Sequence, residues 1–116
     1  MELKIEEVKK IEDGKHTGKI VEVSYRTEPF NYTDLTIEFE HYKMKVGFPT
    51  SVTKESKLGK LLVMFGANLV TGKHIDPEKI LKNKMCTFLT MSKTTDRGTY
   101  SNIVRDSLKP NEETVR

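Results

Sequence analysis

The chain has 116 residues, of which 35% are hydrophobic and 32% are charged. Its length suits one domain with a single core, and the regular recurrence of Leu, Ile, Val and Phe excludes a disordered chain. No apolar run approaches the roughly 20 residues that span a bilayer, and the charged N-terminus is unlike a signal peptide. We therefore expect a cytoplasmic protein that does not bind membranes. Its single domain covers residues 1–110, with an N-terminal segment 1–13 of undecided structure and a polar tail over 111–116.

Charge is unevenly distributed along the chain. The formal net charge of +3 is too small by itself to indicate a polyanionic partner. Residues 43–60 and residues 82–105, however, each combine five basic side chains with one acidic side chain. These two segments therefore hold most of the basic excess.

The residue types that carry catalysis and metal binding are few and scattered. The single cysteine, Cys86, lies in an apolar run and has no internal disulfide partner, so we interpret it as a core residue in a reducing compartment. His16, His41 and His74 lie in separate segments, with no cysteine or paired carboxylate at ligand spacing. The chain also has no glycine-rich phosphate-binding loop. We expect no enzymatic activity, no metal and no cofactor.

The first predicted strand begins near Lys15 and runs through Ile20 and Val23 to Tyr25. Gly18, inside this run, predicts a bulge or a strong bend. The residues that follow, up to position 32, include a proline and turn-forming polar residues. We interpret them as a loop that carries aromatic side chains.

Residues 34–48 predict a β-hairpin with one buried face. Apolar residues alternate on both sides of a turn near His41 and Tyr42. The resulting register pairs Phe39 with Met44, Ile37 with Val46, Leu35 with Phe48, Glu40 with Lys43 and Glu38 with Lys45. Hydrophobic and charge pairing agree in this register, and a slip of one residue would lose both.

A helix is predicted after the hairpin, with Thr53 as its N-cap. Its apolar stripe comprises Leu58, Leu61, Leu62, Phe65 and Leu69. Gly59 destabilises this helix by about 1 kcal/mol relative to alanine, unless close packing requires a glycine. Asp76 and Pro77 predict the start of a second, short helix that ends near Leu81.

Residues 85–91 are almost continuously apolar or threonine, which predicts a strand buried on both faces or curled in a small barrel. A turn at Asp96–Gly98 leads to a fifth strand over Thr99–Leu108. The order of elements is therefore β-β-β-α-β-β, with the helix between strands three and four. We predict a mainly β protein with this order, the five-stranded OB-fold barrel. In that fold the face of strands two and three and the loops 1–2 and 4–5 bind oligonucleotides.

The leucine-rich helix Ser56–Leu62 and the final strand Tyr100–Arg105 follow this meander of strands. The combination resembles small single-stranded-DNA-binding proteins encoded by phages and mobile elements. The resemblance covers residues 14–110. It implies binding of single-stranded DNA in replication or recombination, with replication or recombination proteins as partners.

Binding of single strands requires flat side chains on which bases stack and cations that contact phosphates. The residues expected to bind nucleic acid are Tyr25, Arg26, Phe30, Tyr32, Lys43, Lys45, Lys93, Arg97 and Tyr100. In the OB topology, loop 25–32 and loop 93–100 flank one groove. The hairpin lysines Lys43 and Lys45 lie between these loops.

Other interpretations stay open for these residues. Phe30 also suits a plug of the barrel. Glu38 and Glu40 oppose a phosphate track, so the strand crosses only the loop-rich end of the barrel or this face binds something else. Tyr25 continues the parity of Val21 and Val23, which is also the pattern of a core residue. Lys43 and Lys45 also suit surface ion pairs with the hairpin glutamates, which contribute roughly 0–1 kcal/mol each.

The sequence thus predicts a protein that binds single-stranded DNA without strong sequence preference. One alternative is a protein-interaction module of the same fold, which forms a homo-oligomer or joins a complex through an apolar patch or a strand edge. The other is an RNA-binding OB domain, because a stacking groove accepts both nucleic acids. Loop 25–32 distinguishes the classes: rings packed inward favour the interaction module, and exposed rings beside Arg97 favour nucleic acid.

Overall fold

The computed structural model describes residues 1–3 and 11–111 of the chain. The strands are β1 (Gly14–Arg26), β2 (Tyr32–Phe39), β3 (Tyr42–Pro49), β4 (Met85–Thr95), β5 (Gly98–Ile103) and β6 (Lys109–Pro110). Helices α1 (Lys57–Met64) and α2 (Pro77–Leu81) lie between β3 and β4, and a 3-10 turn covers Arg105–Ser107. The prediction of a mainly β chain with helices after the third strand is confirmed. The undecided N-terminal segment and the polar tail lie largely outside the described residues.

The strands form one antiparallel sheet in the order β3-β2-β1-β4-β5, and β6 pairs with β4. β1 is central, because its first half pairs with β4, its second half pairs with β2, and Lys19 has a partner in both ladders. Among the described residues, β3 and β5 are the edges of the main path and share no ladder. The sheet is therefore mainly antiparallel β as predicted, but it is not closed into a barrel.

Close approach of the strands explains the glycine in β1. A Cβ atom on Gly18 would lie 2.8 Å from the Glu38 carbonyl oxygen and 2.9 Å from Ile37 Cγ2. The bulge predicted at Gly18 is instead a register shift between Ile20 and Glu22 in the β1–β2 ladder. Gly18 thus allows the backbones of β1 and β2 to approach closely. The irregular pairing begins two residues later, at Ile20.

The β2–β3 hairpin has the predicted buried face but a different register. Phe39 pairs with Tyr42, so every predicted pair is wrong by two residues. The turn consists of Glu40 and His41, and Glu40 adopts the positive φ of 54° that the first position of a tight two-residue turn requires. A shift of two residues leaves each side chain on its predicted face, so the core alternation is retained.

The core lies between the inner face of the sheet and α1. Its buried apolar residues are Ile20, Val23, Leu35, Ile37, Phe39, Val46, Phe48, Leu58, Leu61, Leu62, Leu81, Cys86, Phe88 and Leu108. The ring of His16 packs at its edge, 5.1 Å from the Phe39 ring and 5.9 Å from the Phe88 ring between centroids. Burial raises the pKa of the Cys86 thiol to about 12, so the thiol is protonated at neutral pH. The interpretation of Cys86 as a core residue is confirmed.

Helix α1 begins later than predicted. Its N-cap is Ser56, whose hydroxyl accepts a hydrogen bond of 3.0 Å from the Gly59 amide. Thr53, the predicted cap, instead accepts a bond of 2.9 Å from the Ser56 amide in the preceding loop. The helix ends at Met64, so only the first three members of the predicted stripe are helical. Asp76 caps α2 as predicted, and neither helix in the described part of the chain is long and apolar enough to cross a membrane.

Strands β4 and β5 differ from the prediction. Leu89 and Met91 of β4 are 44% and 60% exposed, because only the inner face of this strand packs on the core. β5 ends at Ile103 rather than at Leu108. Beyond it, the Leu89 amide donates a hydrogen bond of 2.8 Å to the Ser107 hydroxyl, so a side chain of the 3-10 turn takes the place of a ladder partner.

Two buried threonines on β2 give opposite predictions for stability. In the described part of the chain, the Thr36 hydroxyl has no hydrogen-bond partner, whereas the Thr33 hydroxyl lies 2.9 Å from that of Thr50. Thr36→Val removes an unsatisfied polar group and is expected to raise the free energy of unfolding by about 1 kcal/mol. Thr33→Val breaks a hydrogen bond and is expected to lower it by about 1 kcal/mol. Urea denaturation measures both, and shifts in the same direction would contradict this account.

Candidate nucleic-acid interface

The outer face is the side of β1, β2 and β3 that points away from the core. Strand alternation places Arg26 of β1 on this face, directly across from Tyr32 of β2. On the same face, Asp34 of β2 lies across from Gly47 of β3. These four residues occupy neighbouring positions on three adjacent strands, at the end of the sheet where β1 ends.

Arg26, Asp34 and Tyr32 form a group that we call the Arg26 platform. Arg26 Nε donates a hydrogen bond of 2.6 Å to Asp34 Oδ2, and Nη2 donates one of 3.1 Å to Oδ1. The guanidinium carbon lies 4.9 Å from the centroid of the Tyr32 ring. The hydrogen bond to Asp34 raises the pKa of Arg26, and 47% of the Arg26 side chain is exposed. Two hydrogen bonds and an aromatic contact thus fix a planar cation at the protein surface.

Gly47 leaves the space that the Arg26 platform occupies. A Cβ atom at this position would lie 2.8 Å from Asp34 Oδ1, 3.0 Å from Tyr32 Cδ2 and 3.3 Å from Arg26 Nη2. Any side chain on Gly47 would therefore press on all three members of the platform. The glycine in β3 thus has a role in the site rather than in a turn.

The predicted hairpin lysines lie on the outer face beside the platform. Lys43 is across from Glu38, with Nζ 3.8 Å from the carboxylate, and Lys45 is across from Thr36. The predicted partners Glu40 with Lys43 and Glu38 with Lys45 are wrong, because the register differs by two residues. Glu40 lies in the turn, and Lys45 consequently has no acidic residue across from it. Thr36 also pairs with the exposed Glu22 of β1, so an acidic side chain lies on this face two strands away from Lys45.

The predicted loop 25–32 is shorter in the structure, because Tyr25 and Arg26 belong to β1 and Tyr32 belongs to β2. Its aromatic residues have different surroundings. Phe30 is 70% exposed, and the Asn31 carbonyl of the same loop accepts a hydrogen bond of 2.9 Å from the Thr50 amide. Tyr25 points to the opposite face from its neighbour in the platform, toward the N-terminus of α2. Partial burial and the nearby Asp76 carboxylate raise the pKa of Tyr25. Phe30 and the platform are therefore open to a ligand, while Tyr25 borders α2.

The three predicted residues near the last turn also form a group. Lys93 of β4 lies across from Tyr100 of β5, and Arg97 is in the turn between these strands. The Tyr100 hydroxyl donates a hydrogen bond of 3.2 Å to the Arg97 carbonyl, which holds the half-exposed ring over the turn. The end of this hairpin therefore presents a second aromatic ring with a basic residue across from it.

The structure brings the predicted residues together in two groups rather than one. Arg26, Tyr32 and the hairpin lysines share the outer face near the end of β1. Lys93, Arg97 and Tyr100 lie beyond the start of β1, where Gly14 pairs with Thr90. The thirteen residues of β1 lie between the two groups along the sheet. The rings of Tyr25 and Phe30 are exposed and the Tyr32 ring is partly buried, but none of them lies beside Arg97.

Sequence reasoning missed three residues that the site uses. Asp34 and Gly47 belong to the platform, and Lys19 adds an exposed cation across from Glu38. The signal for Asp34 was its position two residues after Tyr32, which puts both side chains on one face of a strand. The role of Gly47 needs the register of three strands and has no local signal.

Metal ligands do not gather at this site. Within residues 1–3 and 11–111, no three His, Cys, Asp or Glu side chains come close enough together to hold an ion. The arrangement instead offers a guanidinium, aromatic rings and lysines. Comparison with known proteins identifies no relative of this chain. No protein-family model matches the chain, and no curated protein is similar to it in sequence.

Proposed function

We propose that the chain binds single-stranded DNA on its outer face, with little sequence preference, by stacking a base on the Arg26 guanidinium. The Arg26 platform is the observation that carries this proposal, because its planar group contacts the Tyr32 ring and 47% of the Arg26 side chain is exposed. Unpaired bases stack on guanidinium planes and on aromatic rings. Every base has such a face, so this contact does not select a sequence. Phe30 supplies a second exposed ring in the adjoining loop.

Lysines next to the platform supply contacts for phosphates. Lys45 lies on the outer face without an acidic residue across from it, and Lys43 and Lys19 flank the exposed Glu38. A cation that contacts a phosphate releases a counterion, so the affinity depends on salt. The Tyr100 ring and the Lys93 ammonium lie beyond the far end of β1. They extend the same types of contact to longer DNA strands.

The strand order supports an OB-fold for this chain. In that fold the third and fifth strands close the barrel, and here β3 and β5 are the strands at the two edges. With the sequence resemblance, this order supports a binding role in DNA replication or recombination, with proteins of those processes as partners. The single thiol, on the buried Cys86, suits a reducing cytoplasm.

Fluorescence anisotropy of labelled oligo-dT tests the proposal, at about 50 and 200 mM salt. We expect binding that weakens as salt rises, and we expect duplex DNA to compete poorly because its bases are already stacked. No binding at the lower salt would contradict the proposal. Single-stranded RNA that competes better than oligo-dT would replace DNA with RNA as the ligand.

A role in assembly is the second candidate, and the exposed apolar side chains of β4 favour it. Leu89 and Met91 lie two residues apart on one face of the strand, and exposed apolar patches often mark protein interfaces. Light scattering over a range of chain concentrations tests this role. A mass that rises to a multiple of the monomer, and that falls again with Met91→Lys, would support a homo-oligomer.

A further inference from the structure

A cleft opens between α1 and the 3-10 turn, and we call it the α1 cleft. It encloses about 380 Å³, and its floor consists of the core residues Phe48, Leu61 and Leu108. Phe48 lies on the inner face of β3, opposite to the face that carries Lys45. The α1 cleft is therefore on the other side of the sheet from the outer face. A ligand in it would leave the outer face free.

The walls of the α1 cleft carry an excess of positive charge. Lys57 and Lys60 are three residues apart on α1, so they share one side of the helix, and Arg105 faces them from the 3-10 turn. Asp106 is the acidic residue of the lining, and its carboxylate lies 3.5 Å from Lys57 Nζ. Lys57 thus neutralises Asp106, which leaves the charges of Lys60 and Arg105 for a ligand.

Arg105 borders the apolar floor of the α1 cleft. Its side chain is half-buried, and its guanidinium carbon lies 5.8 Å from the centroid of the Phe48 ring. Among the described residues, neither Arg105 nor Lys60 takes part in an ion pair. A guanidinium without an ion-pair partner can bind a carboxylate through two parallel hydrogen bonds.

The accessible apolar surface of the α1 cleft lies at its rim rather than on its floor. The floor residues are almost completely buried, so none offers the open ring face on which a base stacks. The exposed apolar group at the rim is the flexible side chain of Met64, which is 48% exposed. Methionine adapts to the shape of a bound side chain, and such residues are common at surfaces that bind peptides.

We propose that the α1 cleft is a docking site for an acidic peptide segment of a partner protein. The carboxylates of the peptide contact Lys60 and Arg105, and an apolar side chain of the peptide packs against Met64. This site is separate from the outer face and does not depend on the binding of single-stranded DNA.

Anisotropy with a labelled probe peptide, Asp-Asp-Asp-Asp-Leu-Phe, tests this proposal on the full chain at about 50 mM salt. Lys60→Glu is expected to weaken peptide binding by about fivefold or more, because an attractive exposed charge becomes repulsive. The matched control, Lys79→Glu on α2, makes the same charge change outside the α1 cleft and is expected to alter affinity less than about twofold. A peptide that ends in Ala-Ala is expected to bind about tenfold more weakly, through loss of buried apolar area.

Competition with unlabelled oligo-dT separates this site from the outer face. We expect oligo-dT not to displace the peptide, and Lys60→Glu to keep its affinity for oligo-dT within about twofold. Displacement by oligo-dT, equal weakening by Lys60→Glu and Lys79→Glu, or no peptide binding at about 1 mM chain would overturn the proposal. Peptide binding with the expected dependences in a chain that does not bind oligo-dT would uphold this site and refute DNA binding.

Discussion

Arg26→Ala is expected to weaken the binding of oligo-dT by roughly 5- to 150-fold, which corresponds to about 1–3 kcal/mol for one stacked base. The variant removes the planar group that Asp34 and Tyr32 hold at the surface. Arg26→Lys is expected to lose most of the same affinity although it keeps the charge. An ammonium group offers no plane for stacking and does not match both oxygens of Asp34. Anisotropy titrations of the three chains measure these differences.

Two controls isolate the stacking contact in this experiment. Arg26→Ala leaves the buried carboxylate of Asp34 without its partner, so the double variant with Asp34→Asn removes the uncompensated charge. Lys79→Ala on α2 removes one positive charge away from the outer face and is expected to change affinity less than about twofold. Arg26→Lys with wild-type affinity would show that the charge alone acts, and would contradict base stacking on Arg26.

Gly59→Ala is expected to destabilise the fold by about 3 kcal/mol, although alanine is the better helix former. A Cβ atom on Gly59 would lie 1.8 Å from the Thr53 carbonyl oxygen and 2.9 Å from Ser56 Oγ. The first distance is to backbone, which cannot rotate away, so the loop before α1 has to move. That movement would also disturb the hydroxyl of Ser56 that caps the helix.

Lys60→Ala on the same helix is the matched control, because Lys60 is exposed and its change tests propensity alone. It is expected to shift the free energy of unfolding by less than about 0.5 kcal/mol. Urea denaturation of both variants gives the comparison. A Gly59→Ala chain that is about 1 kcal/mol more stable than wild type would show that helix propensity decides at this position, against the packing seen here.

Features that depend on neighbouring residues in the chain were predictable from the sequence. The alternation of β2 and β3 identified their buried face, and Asp76 with Pro77 marked the start of α2. The hairpin register was not predictable in the same way, because it follows from a turn that places Glu40 at positive φ. A register shift of two residues leaves every apolar side chain on the same face of the sheet. The apolar pattern therefore does not distinguish the two registers.

The candidate site was predictable as a set of residue types but not as an arrangement. Arg26 and Tyr32 were expected to bind nucleic acid, yet their contact arises only when β1 pairs with β2. Gly47 looks like an ordinary strand residue until β3 is placed beside Asp34. The apolar run of β4 predicted a strand buried on both faces or curled in a small barrel, because hydrophobicity alone does not show which face another element covers. In the structure, Leu89 and Met91 lie on the uncovered face of β4 and are exposed.

The affinity of the chain for oligo-dT, compared with an abasic oligonucleotide of the same length, tests the account most directly. Both ligands carry the same phosphates, and only oligo-dT has bases to stack on Arg26 and Phe30. We predict that the abasic strand binds at least about fivefold more weakly, from the loss of about 1 kcal/mol or more of stacking. Equal affinities, or no binding of either strand at low salt, would contradict the claim that the outer face binds single-stranded DNA through its bases.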